Sequence, residues 1–152
     1  MRRLKTRPQF QAAMAGGTVA RTAHFALHRL ALGAAPPPTG PDSTPQASQS
    51  QALFGVGSAA AEVWLGAMTP KRWARRAVTR NAIRRQIYAV AQDCQTHLPH
   101  AAHVVRLRAG FDRKQFVSAW SEPLRLAVRA ELEQLFATDR RRLARAAEQA
   151  AP

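Results

Sequence analysis

Apolar positions along the chain recur with helical spacing in three stretches and with strand-like spacing in three others. Residues 8–15 read as a short helix, opened by Pro8 near its first turn and closed by Gly16 and Gly17. Residues 24–32, HFALHRLAL, read as a strand with Phe25 and Leu27 on one face. A second strand is expected over 63–69 and a third over 102–108. Between them, residues 75–95 form a long helix whose Ile83, Ile87, Val90 and Cys94 recur at four- and three-residue steps. A final amphipathic helix is predicted over 121–136, with Ser121 as N-cap and Pro123 in its first turn. Phe116, Trp120, Leu124, Val128, Leu132 and Leu135 are its expected core contacts. The order α-β-β-α-β-α predicts one small α+β domain, with a single sheet packed against helices.

The 152 residues favour one domain. Residues 34–51, AAPPPTGPDSTPQASQSQ, hold one charge, Asp42, and little apolar surface to offset the entropy of ordering, so they read as a disordered external insertion. Pro99 ends the long helical stretch, because the residue before a proline is pushed out of helical geometry. The expected domain is 1–137, followed at 138–152 by a basic C-terminal tail that either extends the last helix or stays flexible, with little to anchor it.

Charge narrows the function. Lys and Arg number 23 against 9 Asp and Glu, a formal net charge of +14, and the sequence pI is near 11.8. Self-repulsion at this charge opposes compaction, so a polyanionic partner is the economical reading: nucleic acid first, an anionic membrane second. Cys94 is the single cysteine, which excludes an internal disulfide and points to no oxidising compartment. The basic N-terminus lacks the apolar run of a signal peptide, and the most apolar stretch, 59–68, is too short to span a bilayer. A cytoplasmic protein without a membrane role is expected.

The positive charge concentrates at Lys71–Arg85, KRWARRAVTRNAIRR, with seven cationic side chains and no acidic one. At 100° per residue, Arg80, Asn81, Arg84, Arg85 and Tyr88 fall on an arc apart from the apolar stripe. One face can dock on the sheet while the other presents cations. Lys71, Arg72, Arg75 and Arg76 extend this surface through the strand-to-helix turn. Like charges at i,i+4 destabilise a helix by a few tenths of a kcal/mol per pair. No acid between Glu62 and Asp93 relieves them, whereas a merely solvated face mixes signs. Asn81 adds two donors and an acceptor suited to sugar and phosphate.

Residues 66–85, GAMTPKRWARRAVTRNAIRR, resemble the signature of the bacterial ribonuclease P protein component, which ends in R-N-x-I/L-K/R-R. Lys71, Arg72, Arg80, Asn81, Ile83, Arg84 and Arg85 fall on its matching positions. The N-terminal block RLKTRPQFQAAMAGGTVARTAHFALHRL and the segment LPHAAHVVRLRAG are similar to other parts of that family. The resemblance implies a fold of the ribosomal protein S5 domain 2-like type. It also implies a small basic subunit of a ribonucleoprotein endoribonuclease, with no catalytic residue of its own. The catalytic RNA subunit would hold Mg²⁺ and hydrolyse precursor tRNA, releasing the 5′ leader. The basic helix would lie against that RNA. Phe10, Met14, Phe25 and His28 fall where the family lines a cleft for the single-stranded leader. Flat side chains there would stack on bases of any identity. Met14 and His28 stand where the family often has Phe and Tyr, and Ala82 and Tyr88 where it usually has basic residues.

Three other readings compete. A protein-only nuclease would need a recognisable catalytic motif or paired carboxylates, and most of the nine acids lie in the C-terminal third. Cys94, His97, His100 and His103 recur every third residue, but Pro99 breaks any shared helix, and zinc sites of this style use paired ligands with longer separations. A ribosomal-type or basic-helix DNA-binding protein is the main alternative; it calls for a second recognition element or a dimer seam, and no sustained heptad is present. No obligate protein partner is evident. Trp64, Trp73 and Trp120 fit either core packing or RNA stacking.

Overall fold

The computed structural model describes residues 1–31, 62–112 and 118–150. The insertion expected at 34–51 lies outside these, as do Leu32 and Phe116. Along the chain come β1 (Arg2–Arg3), α1 (Arg7–Ala15), β2 (Thr18–Arg21), β3 (Phe25–Ala31), β4 (Trp64–Met68), α2 (Ala77–Asp93), a 3₁₀ turn (Gln95–His97), β5 (Ala101–Leu107) and α3 (Glu122–Ala150). The strands form one sheet in the order β1-β4-β5-β3-β2. β1, β4 and β5 run parallel, whereas β3 is antiparallel to both β5 and β2.

The six expected elements are all present, and two edge strands join them. β1 has only two residues, held by Arg2 N–H to the Val63 carbonyl at 2.8 Å and Leu4 N–H to the Leu65 carbonyl at 2.9 Å. β2 follows α1 so closely that a glycine pair must turn the chain. Gly17 has φ of 105°, a region that costs an L-residue about 1–2 kcal/mol. At Gly16, a β-carbon would sit on the Arg29 carbonyl oxygen and 2.7 Å from Leu30 Cα, so only glycine lets β3 pass this close. At its other end α1 carries a full capping box. Gln9 N–H donates to Thr6 Oγ1 at 3.3 Å, and Gln9 Oε1 accepts from Thr6 N–H at 3.2 Å.

Side chains alternate across each strand, and the two faces of the sheet bury different layers. On one face Phe25, Leu27, Leu65, Val105 and Leu107 pack under Ile83, Ile87 and Val90 of α2 and Leu124, Val128, Leu132 and Leu135 of α3. On the other, Trp64, Ala102 and Val104 meet Leu4 and Ala13, with Phe10, Met14, Leu30 and Met68 around them. The molecule is therefore α1, sheet, then α2 and α3. Trp64 is core in the smaller layer, and Trp120 packs against the larger one.

Two helix boundaries differ from expectation. α2 starts at Ala77, leaving Arg75 in the preceding loop. α3 does not stop at Phe136 but continues to Ala150, through residues expected to be a tail. Those residues are nearly all good helix formers, without Gly or Pro until Pro152.

The continuation is also fastened by a buried ion pair. Arg29 Nη1 donates to Asp139 Oδ1 at 3.0 Å, and its Nη2 to Oδ2. Arg29 Nε donates to His103 Nε2 at 3.0 Å, while His103 Nδ1 lies 3.1 Å from the Trp64 carbonyl oxygen. Arginine can only donate, so Nε2 accepts and Nδ1 carries the proton. Burial, then the Arg29 charge, lower the His103 pKa to about 4. Unfolded, the ring titrates near 6.5, so the unfolded chain binds more protons between these values. Stability should therefore fall by about 3 kcal/mol as pH drops from about 6.5 to 4. Urea denaturation across that range checks this, and His103→Gln should remove most of the slope.

Candidate nucleic-acid interface

The basic segment leaves the sheet at the end of β4. Trp73 and Ala74 N–H groups both donate to the Pro70 carbonyl, at 3.1 and 3.2 Å, closing the loop into a tight turn. Arg80 then folds back from α2. Its Nη1 donates to the Ala74 carbonyl at 3.0 Å and the Arg75 carbonyl at 2.7 Å. Arg84 Nη2 reaches Thr69 Oγ1 at 3.3 Å. Two expected phosphate contacts thus also hold the loop to the helix, which prepays its ordering. Lys71, Arg72, Arg75, Arg76, Asn81, Arg84 and Arg85 are exposed.

The N-terminus of α2 opens into this cluster. Arg76 is its N-cap and makes no side-chain capping bond, and no acid occupies the first turn. First-turn N–H groups and the helix dipole therefore add to the positive field. Beside them a cavity of about 280 Å³ is lined by Trp73, Arg75, Arg76, Thr79, Phe111 and Ala119, among others. Trp73 is 36 % exposed with the Arg72 guanidinium 5.1 Å from its ring centre. Phe111 was invisible as a site neighbour in the sequence because β5 and its following loop bring it there only in three dimensions.

Two departures from the family pattern gain a structural context. Ala82 is 2 % exposed and turned into the core, where a cation would be desolvated. Tyr88 lies under the Arg3 guanidinium, 4.1 Å from its ring centre, so a cation from β1 stands over it.

The four expected cleft residues separate into two groups. Phe10 and Met14 lie half-buried on the α1 side of the sheet. Gly66 makes room for Phe10, since a β-carbon there would lie 2.5 Å from its Cε1. His28 also packs with the β2 hairpin but is 6 % exposed, with both ring nitrogens engaged. Its Nδ1 lies 3.2 Å from Thr18 Oγ1, and its Nε2 accepts from Arg106 Nε at 3.3 Å. Burial first, then Arg106 and Arg21, push its pKa down. It is a neutral, anchored ring rather than a free stacking face.

Phe25 does not belong with them. It is fully buried in the α2/α3 layer, 6.1 Å between ring centres from Phe111. Phe25 and His28 are three positions apart on one strand, an odd separation that places them on opposite faces. Arg106 is the residue missed. Even spacing from Ala102 and Val104 puts it on the α1 side beside His28, in register with Met68.

Cys94, His97, His100 and His103 are not gathered around one point. His103 is held inside by Arg29 and Trp64, and Cys94 ends α2.

A family model described as ribonuclease P matches residues 1–131. The chain belongs to the ribonuclease P protein family. Its fold is similar to that of the Staphylococcus aureus RNase P protein, with a TM-score of 0.56 and 16 % identity over 90 % of this chain and 94 % of that one. A mutant of that protein, described as having defective mRNA degradation activity, matches with a TM-score of 0.55 and 16 % identity, over 89 % of this chain and 85 % of that one. No curated protein matches the sequence. The chain is thus a protein subunit of ribonuclease P and works with an RNA component. Among the described residues, no helix is long and apolar enough to cross a membrane.

Proposed function

We propose that this subunit binds the catalytic RNA through Lys71, Arg72, Arg75, Arg76, Asn81, Arg84 and Arg85, with Arg80 setting the loop. The α1 side of the sheet, at Phe10, Met14 and Arg106, receives the single-stranded 5′ leader of precursor tRNA. His28 braces Arg106 there. The holoenzyme acts in the cytoplasm, and the RNA subunit carries out the hydrolysis with Mg²⁺. The basic segment is not itself a magnesium site: Lys71–Arg85 offers no carboxylate, and magnesium favours hard oxygen ligands such as carboxylates. The observation that carries the reading is this run of exposed cationic side chains from the β4 exit through α2, with no acidic residue in the chain between Glu62 and Asp93. The protein contributes phosphate neutralisation and a leader contact, with no proton transfer of its own.

Adding the protein to bacterial ribonuclease P RNA at low Mg²⁺ should stimulate precursor-tRNA cleavage. Absence of stimulation, or equal affinity for duplex DNA, would overturn the reading. Phe10→Ala should weaken binding of leader-bearing substrate about tenfold, the worth of one stacked base. Mature tRNA should bind as before. An equal loss for both ligands would remove Phe10 from the leader site.

A further inference from the structure

The C-terminal part of α3 lies beyond the family-matched residues 1–131 and carries a second cationic surface. Asp139 and Arg142 fall on one side of the helix. Asp139 is buried against Arg29, and Arg142 donates to the Val19 carbonyl, so this side faces the sheet. At 100° per residue, Arg140, Arg141, Ala144 and Arg145 project from the other side within an arc of about 140°. All four are exposed.

These arginines are not explained by local pairing. Of the neighbouring acids, Glu133 pairs with Arg129 and Asp139 with Arg29. Glu148, three residues beyond Arg145, falls on the same exposed arc and offsets only one of its three charges. Among the described residues, no carboxylate forms an ion pair with Arg140, Arg141 or Arg145. Helix-dipole compensation does not account for them either, because it acts within the last turn and that turn holds no basic residue. The pair Arg141 and Arg145 at i,i+4 costs helix stability.

A groove adjoins the cations. It has a volume of about 420 Å³, between the 3₁₀ turn after α2 and this part of α3. Its walls include the apolar Leu98, Phe136 and Ala144, the imidazole of His97, and the exposed Arg140 and Arg141. The carboxylates of Glu133 and Asp139 also line it and are already neutralised by Arg129 and Arg29. Flat or apolar walls with guanidinium groups at the rim fit an unpaired nucleotide, with its base inside and its phosphate outside.

We infer that the α3 extension and this groove form a second RNA site, which takes unpaired nucleotides of the RNA subunit. This rests on the proposed RNA-binding role of the chain. The RNA subunit is favoured over the leader because the groove lies on the α2/α3 side of the sheet, opposite α1. Along α2, Cys94 is about 15 Å from Arg84, at 1.5 Å per residue. The two cationic surfaces therefore grip separate stretches of one RNA, and neither can substitute for the other.

The test uses the full chain and in-vitro-transcribed ribonuclease P RNA, with affinity measured across a salt series. Joint replacement of Arg140, Arg141 and Arg145 by alanine should weaken binding about a hundredfold near 0.15 M salt. It should flatten the log–log salt slope by about two to three units. Joint replacement by lysine should retain the slope. Ala144→Trp fills the groove without changing charge, and should cost about tenfold with an unchanged slope. Melting temperatures of the arginine variants should match the parent, since these side chains are exposed. The control is Arg84→Ala with Arg85→Ala. If the control flattens the slope and the α3 variants leave affinity and slope unchanged, the second site is wrong and the α2 interface stands. If neither changes, both readings are overturned. A loss confined to precursor tRNA would overturn the assignment to the RNA subunit, and an unaffected Ala144→Trp would remove the base from the groove.

Discussion

Arg84→Ala combined with Arg85→Ala should lower affinity for ribonuclease P RNA about a hundredfold and flatten the log–log salt slope by about two units. Both side chains are exposed, and α2 packs through the separate stripe of Ile83, Ile87 and Val90. The double variant should therefore keep its core packing, with the loss residing mainly in phosphate contact and a smaller part in the Arg84 bond to Thr69 Oγ1 that holds the loop. Filter binding across a salt series measures it, and an unchanged slope would remove α2 from the RNA interface. Arg80 makes the informative contrast. Its guanidinium bonds the carbonyls of Ala74 and Arg75, so it positions the loop as well as carrying charge. Arg80→Lys keeps the charge but loses the planar fork. It should leave the slope nearly intact while weakening binding, because a looser loop must be ordered on association.

The second large effect is on stability. Asp139→Ala should destabilise the fold by about 3–5 kcal/mol, since it leaves a buried guanidinium without its counter-charge. The two side chains are only 12 % and 3 % exposed, so solvent cannot substitute for the missing carboxylate. Small domains have total stabilities of about 5–15 kcal/mol, which makes this a large fraction. Replacing both partners by apolar residues, Arg29→Met with Asp139→Leu, should restore much of the loss, because neither charge then needs solvation. Urea unfolding of the two variants beside the parent tests this. A cost below about 1 kcal/mol for Asp139→Ala would show that the pair behaves as a surface ion pair.

Much of the fold was legible in the residues. Helical and strand periodicity located six elements, because a buried face demands apolar side chains at the spacing of its own backbone. The edge strands β1 and β2 were not, since two and four residues carry too little alternation to register, and β1 is made of two arginines. The candidate site divides in the same way. The acid-free run at Lys71–Arg85 and its separation from the apolar stripe followed from charge and helical angle alone. The cleft did so incompletely. Strand alternation already separates Phe25 from His28, yet no local rule reveals that Arg106 stands beside His28.

The sequence by itself thus determined where the six main helices and strands lie, that the charge calls for a polyanionic partner, and which face of α2 presents the cations. Those properties depend on composition and on spacings within one element. Only the tertiary structure decided which cations are free. Arg29, Arg80 and Arg142 carry the same charge as their neighbours in the chain. Their partners are an aspartate 110 residues away, two loop carbonyls and the Val19 carbonyl, respectively. A guanidinium's role is set by the acceptor it meets, and that meeting is made by folding.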